Sequence, residues 1–175
     1  MKYLVVSDIH CNPDYVDYLF HLMEHENPDK VILLGDIMSI SPDGLNIVNF
    51  INEYKDKIII TVGNMDRIDL LPNDIQDKIY EYYRERINDK EFIFTHGHLP
   101  KPNIDSIDVF VQGHTHMNGL MLLTDIGEKP LIFYNPGSIA LPRGKTDNSY
   151  GIITDNELII RDLDNKDVKK LSYRK

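Results

Sequence analysis

Five short runs in this chain are apolar at consecutive positions and then stop in residues that ligate metals or carry protons. They read "YLVVSDIH" (3–10), "KVILLGDI" (30–37), "KIIITVGNMD" (57–66), "EFIFTHGH" (91–98) and "VFVQGHTH" (109–116). A strand with one wet face alternates apolar and polar residues, whereas a strand covered on both faces is apolar throughout. The runs are too short for buried helices, so they predict strands inside a mostly parallel or mixed sheet. In open α/β sheets, ligands bind beyond the carboxyl ends of the strands. All five polar clusters fall at such ends, which places them on one rim of the molecule.

Helices fill the gaps. Residues 13–26 open with Asn12 as N-cap and Pro13 in the first helical position, both favoured there. Residues 42–53 repeat the device with Ser41 and Pro42, and "DIQDKIYEYYRERI" (74–87) predicts a third helix. The first half then reads β-α-β-α-β-α-β. From about residue 107 the helical period disappears, and short strands are expected at 108–112, 119–124, 131–134, 150–154 and 157–162, with turns at "DIGEKP" and "TDNE". A second sheet packed on the first would hold them, giving two sheets inside and helices outside. With 175 residues the chain is expected to form one domain, 1–175.

The composition excludes several classes. At 42% hydrophobic and 27% charged residues the chain is neither disordered nor fibrous. No apolar run approaches the ~18 residues of a membrane span. The short apolar start is broken by Ser7 and Asp8, so no export signal is expected, and the single Cys11 cannot form an internal disulfide. Both point to the cytoplasm. A net charge of −9 disfavours nucleic acid and anionic membranes as partners.

Singly, each polar cluster is also what a cap or tight turn looks like. Together, Asp8, His10, Asp36, Asn64, His96, His114 and His116 supply two carboxylates, an amide oxygen and four imidazoles. His114 and His116 flank Thr115 and share a face if extended. Oxygen mixed with imidazole nitrogen suits Mn²⁺, Fe, Zn²⁺ or Ni²⁺ better than Ca²⁺. Seven donors exceed the need of one ion and suffice for two that share a carboxylate.

The order D-x-H, G-D, G-N, H, G-H-x-H resembles the calcineurin-like metallophosphoesterase superfamily. "THGHL", "GHTH" and "NPGS" are most similar to its small YfcE-like phosphodiesterase branch, over residues 3 to about 154. The resemblance implies an α/β fold, a four-layer α/β/β/α sandwich of two mixed sheets flanked by helices. It also implies two divalent transition-metal ions, manganese before iron, zinc or nickel. Asp8, His10 and His116 would hold one ion, and Asn64, His96 and His114 the other, with Asp36 bridging. Ions about 3.5–4 Å apart would clamp a phosphoryl group, and a bridging hydroxide would attack phosphorus. The implied substrate is a small phosphodiester.

Departures from the family pattern narrow this further. Many members carry histidine after the G-N asparagine, where it assists the leaving group; here Met65 stands there and donates no proton. His98 is the candidate stand-in or phosphate contact, with a supporting or exposed role as the alternative. Asp66 is a candidate to orient Asn64 or a ligand histidine. Ser39 and Ile40 replace the Asp-Arg pair of the protein phosphatases. Arg67 and Arg143 are either substrate contacts or surface residues, and Cys11 is either a redox modulator or a buried thiol. "NPGSIALPRG" (135–144) either braces the ligand loops or is a packing turn. His21 and His25, four apart, read as a helix surface. The tyrosines of 71–87 serve either a core face or a partner subunit in a homo-oligomer. Rival functions are a metal-binding interaction module on the same fold, and a phosphomonoesterase or nuclease.

Overall fold

The structure is a computed structural model, and it describes residues 1–38, 44–124 and 129–173. In chain order the strands are β1 (Lys2–Val6), β2 (Lys30–Leu33), β3 (Ile58–Thr61), β4 (Ile79–Tyr80), β5 (Tyr83–Ile87) and β6 (Lys90–Thr95). They continue as β7 (Val109–Gln112), β8 (Gly119–Leu123), β9 (Leu131–Asn135), β10 (Ser149–Thr154), β11 (Glu157–Asp162) and β12 (Asp167–Ser172). The helices are α1 (Pro13–Glu26), α2 (Gly44–Glu53) and the single turn α3 (Asn73–Gln76).

Two mixed sheets face each other. One has the order β12-β11-β10-β1-β2-β3-β4 and the other β5-β6-β7-β9-β8. β1 to β4 are parallel neighbours, as are β6, β7 and β9. The continuous apolar runs have a direct cause in this layering. Leu4 and Val6 of β1 face α1 and α2, while Tyr3 and Val5 face the second sheet. Val31 and Leu33 of β2 alternate with Ile32 and Leu34 in the same way. Each run is therefore buried twice. The apolar outer face of the second sheet (Ile93, Phe110, Leu131) is covered by Ile104 and Ile107. The flanking layer there is irregular chain rather than helix.

Helix α1 starts where its caps dictate. The Asn12 side chain accepts from the Asp14 N–H at 3.2 Å, Pro13 follows, and Asn27 closes the helix in left-handed conformation with φ 42°. Ser41 and Pro42, expected to open the second helix, lie outside the described residues, as do Ser39, Ile40 and most of "DIGEKP".

Two expectations are corrected. The helix at 74–87 is absent: one turn at Asn73–Gln76 is followed by β4 and β5. Its apolar residues fit a helical period, yet Tyr83, Glu85 and Ile87 also alternate. Pairing with β6 and packing of Tyr83 on Phe94, ring centroids 6.0 Å apart, decide for strand. Tyr82 packs beside Ile107 and Phe110, so Tyr82 and Tyr83 are occupied within the chain. The late strands are also divided. β7 to β9 enter the second sheet, but β10 to β12 extend the first, with β10 antiparallel to β1.

A buried carboxylate ties the end of α1 to this extension. Glu26 is 4% exposed and is held by Lys2 (2.5 Å), Arg161 (2.8 Å) and the Tyr150 hydroxyl (2.9 Å). Burial opposes its ionisation, but the hydrogen bonds from Lys2, Tyr150 and Arg161 outweigh this and hold the carboxyl below its ordinary range. Removing one member of a buried ion pair costs about 3 kcal/mol or more; the Glu26 partners are part-exposed, so Glu26→Ala should cost about 2–3 kcal/mol. Because the folded pKa is depressed, the contribution is complete above the ordinary Glu value of about 4.3 and fades as pH falls through the lower folded value. Urea unfolding of wild type and variant should show a gap at pH 7 that narrows below pH ~4; a gap independent of pH would contradict the ion-pair account.

Candidate metal centre

Each cluster occupies a loop that leaves the carboxyl end of a strand. Asp8 and His10 follow β1, Asp36 follows β2, Asn64 follows β3, His96 follows β6, and His114 and His116 follow β7. Five of these seven lie in the left-handed region that side chains avoid: Asp8 (φ 56°), His10 (52°), Asp36 (49°), His114 (65°) and His116 (60°). Backbone bonds between loops hold them there. Asp8 N–H donates to Gly35 O (3.1 Å), His10 N–H to Asp36 O (2.9 Å) and Gly113 N–H to His96 O (3.0 Å). A side chain at Gly113 would collide with the Ser7 hydroxyl, and one at Gly63 with Asp36. The glycines of "GN" and "GHTH" are therefore required by close approach.

Two donor sets result: Asp8, His10 and His116, and Asp36, His96 and His114. Each draws on both sheets. In the first, His116 Nε2 lies 3.3 Å from Asp8 Oδ1 and 3.4 Å from His10 Nε2. In the second, His96 Nε2 lies 3.2 Å from Asn64 Oδ1, 3.2 Å from His114 Nδ1 and 3.4 Å from Asp36 Oδ2. The same Asp36 Oδ2 is 4.0 Å from His10 Nε2 and so stands between the sets. Four donors about 2.1 Å from a tetrahedral ion stand about 3.4 Å apart, which these separations match.

The tautomers sharpen the point. His96 Nδ1 is 2.6 Å from Leu34 O, and His116 Nδ1 is 2.6 Å from Leu141 O. Those nitrogens carry the protons, so each Nε2 turns a bare lone pair toward its carboxylate. Asp8 Oδ1 is buried without a hydrogen-bond partner. Buried acceptors that meet only acceptors are costly, and a cation between them removes the cost. A proton on His96 is a partial substitute in the second set. Burial opposes protonation of His96, but Asp36 raises its pKa above the ordinary value. Asp36 is itself held low, where burial is outweighed by His96 and the Met65 N–H. In the first set burial pulls the His10 pKa down despite Asp36 and Asp8.

Support comes from residues of several kinds. Asp66 accepts from the N–H groups of Gly63 (2.7 Å), Ile37 (2.8 Å), Met38 (2.8 Å) and Asp36 (3.0 Å). It thereby clamps the loops after β2 and β3 together, rather than touching Asn64 or a histidine. The segment 135–144 braces the first set. Asn135 donates to Gly113 O (3.0 Å), Ser138 Oγ to Asp8 O (2.9 Å), and Leu141 O receives His116. Ser7 Oγ donates to Asp8 Oδ2 at 2.7 Å. Sequence reasoning missed Ser7, Ser138 and the Leu141 carbonyl. The "NPGS" motif was a signal for Ser138, but a carbonyl has none.

The remaining candidates separate. The His98 ring lies 5.4 Å from His96 and 6.3 Å from His114, and its Nδ1 is buried without a partner. Burial and those two histidines lower its pKa, which suits a neutral contact better than an acid. Arg67 is engaged by Asp69 through two bonds of 2.8 and 2.6 Å, whereas Arg143 is exposed and its N–H donates to His116 O. Cys11 is buried. His21 and His25 stack on α1 and belong to neither donor set.

Two facing mixed sheets that bring carboxylates and imidazoles to one rim define a metal-dependent phosphoric ester hydrolase. Residues 1–157 match the calcineurin-like phosphoesterase superfamily domain, and the chain belongs to that family. Its relatives place it in the YfcE-like branch. It is 28% identical to phosphodiesterase YfcE of Escherichia coli over 96% of this chain and 95% of that protein. Phosphodiesterase MJ0936 of Methanocaldococcus jannaschii is 27% identical over 78% of this chain and 83% of the relative. The solved structure of YfcE, described as a phosphoesterase, superposes with a TM-score of 0.77 at 25% identity, covering 99% of this chain and all of that one.

Asp66→Ala would leave four N–H groups, that of Asp36 among them, to find other partners while removing none of the metal-facing side chains. Loss of such support costs metal affinity by about 10–100-fold. Calorimetric titration with Mn²⁺ should show that loss; unchanged affinity would mean the loops hold their shape without Asp66.

Proposed function

We propose that this protein is a metal-dependent phosphodiesterase in which Asp8, His10 and His116 hold one divalent ion, Asn64, His96 and His114 a second, and Asp36 both. The observation that carries the reading is the convergence of carboxylate and imidazole groups in two sets, with Asp8 Oδ1 buried and without a hydrogen-bond partner. Manganese is the ion of choice, with iron, zinc and nickel served by the same oxygen and imidazole donors. When bound, such a pair supplies Lewis-acid neutralisation of a phosphoryl group and acidifies water. The protein's own part is orientation. Leu34 and Leu141 fix the ring faces of His96 and His116, and Asp66 and Ser138 hold the loops.

Small phosphodiesters are the proposed substrates. The relatives' names support this, and a net charge of −9 opposes long nucleic acids. His98 is proposed as a substrate contact, because its ring lies beside His96 and His114 of the second donor set, at 5.4 and 6.3 Å between centroids. Position 65 offers a thioether and no proton donor, so leaving groups that depart as stable anions are favoured. The single cysteine supports a cytoplasmic setting. No helix is long and apolar enough to cross a membrane among the described residues. The shared core between the two sheets supports one domain over the chain.

Hydrolysis of bis(p-nitrophenyl) phosphate and p-nitrophenyl phosphate, with metal-free protein and with Mn²⁺ restored, tests the reading. Diester turnover should return with Mn²⁺ and exceed monoester turnover. Asp36→Asn and His114→Ala should each lower it at least about a hundredfold with far-ultraviolet circular dichroism unchanged. Stoichiometric metal without turnover of either ester would instead favour an interaction module.

A further inference from the structure

A cavity of about 480 Å³ opens at the end of the sandwich opposite the donor sets. Lys90 at the start of β6, Asp108 just before β7, and Lys129 and Pro130 just before β9 line one side. These are the amino ends of three parallel strands whose carboxyl ends face the metal rim. At about 3.3 Å per residue, the six residues of β6 place Lys90 about 20 Å from His96. The other side comes from the edge strands of the two sheets, with Leu122 of β8 and Leu171 of β12. Small-molecule sites measure roughly 300–1,000 Å³ and combine apolar walls with a few polar groups.

The apolar wall is preformed. Ile132, Leu171 and Tyr173 belong to the core between the sheets. The Tyr173 ring packs edge-on against Phe92, with centroids 5.8 Å apart, and its hydroxyl donates to Thr154 O. The polar lining is engaged within the chain, with one exception. Lys129 donates to Ser106 O (2.9 Å) and Asp108 Oδ1 (3.1 Å), Asp108 Oδ2 accepts from Glu91 N–H (2.8 Å), and Ser172 Oγ donates to Asn156 O (3.4 Å). Among the described residues the Lys90 ammonium has no hydrogen-bond or ion-pair partner. Its charge reaches Asp108: burial opposes ionisation of that carboxyl, but Glu91 N–H, Lys129 and Lys90 outweigh it and hold the group below its ordinary range. Two lysines and one aspartate leave a single positive charge beside an apolar wall.

We propose that this cavity binds small amphipathic carboxylates, the carboxylate pairing with Lys90 and the hydrocarbon lying against Leu122, Ile132, Leu171 and Tyr173. A monoanion matches the single uncompensated charge, whereas a dianion would be repelled by Asp108 and a neutral molecule would leave Lys90 unpaired. The site is separate from the metal centre and does not rest on the phosphodiesterase reading.

Octanoate and its uncharged counterpart 1-octanol test this on Zn²⁺-loaded protein, with binding followed at the leucine and isoleucine methyl groups by NMR. Octanoate should saturably shift the signals of Leu122, Ile132 and Leu171, and bind about three- to fivefold more tightly than the alcohol. Lys90→Met should abolish that preference, and Lys90→Gln should repeat the result. Leu122→Ser should weaken both ligands by a common factor of about three or more. Metal uptake equal to that of wild type verifies that each variant folds. Absence of a saturable shift at these methyls, shifts confined to Leu34 and Leu141 beside the donor sets, or a preference that survives both Lys90 variants overturns the site. So does a dependence of the same signals on protein concentration without ligand, which would mean that a second copy of the chain covers the cavity.

Discussion

The site depends on backbone bonds that hold five donor residues in left-handed conformation. Asp8, His10, Asp36, His114 and His116 each adopt a φ that costs a non-glycine residue of order 1 kcal/mol or more. Ordinary loops relax from such a state. These cannot, because the loop after β1 is bonded along the loop after β2, and Gly113 is bonded to His96. Side-chain bonds from Asn135 and Ser138, and four N–H groups converging on Asp66, close the remaining freedom. The strain turns lone pairs inward. Its consequence is a rim where acceptors face acceptors, which a cation reconciles.

That arrangement couples chemistry to global packing. Each donor set takes carboxylate from the first sheet and imidazole from the second. The approach of carboxylate to imidazole within each set is therefore fixed by the core between the sheets, where Tyr3, Val5, Ile32, Phe92, Phe94 and Val111 meet. Metal binding joins the sheets at their rim and stabilises the folded chain by mass action. The loops alone, without that core, would not bring carboxylate and imidazole together in either set.

The strongly apolar runs were legible because double burial leaves no polar position in a strand. Their polar ends were legible because metal chemistry admits few residue types. The segment 74–87 was not. Its spacing fits a helix and a strand alike, and the choice is made by Phe94 and the β6 edge, which lie elsewhere in the sequence. Sheet membership of β10 to β12 was hidden for a similar reason, since a strand's own residues do not name its neighbour. The Leu34 and Leu141 carbonyls that set the histidine tautomers carry no residue-type signature at all.

The central claim is that the chain presents two separate metal positions sharing one carboxylate. Metal stoichiometry tests it most directly, in wild type beside His116→Ala and His96→Ala. Calorimetry with elemental analysis should give two Mn²⁺ per wild-type chain and one per chain of each variant. A single ion in wild type, or two retained in both variants, would contradict the account.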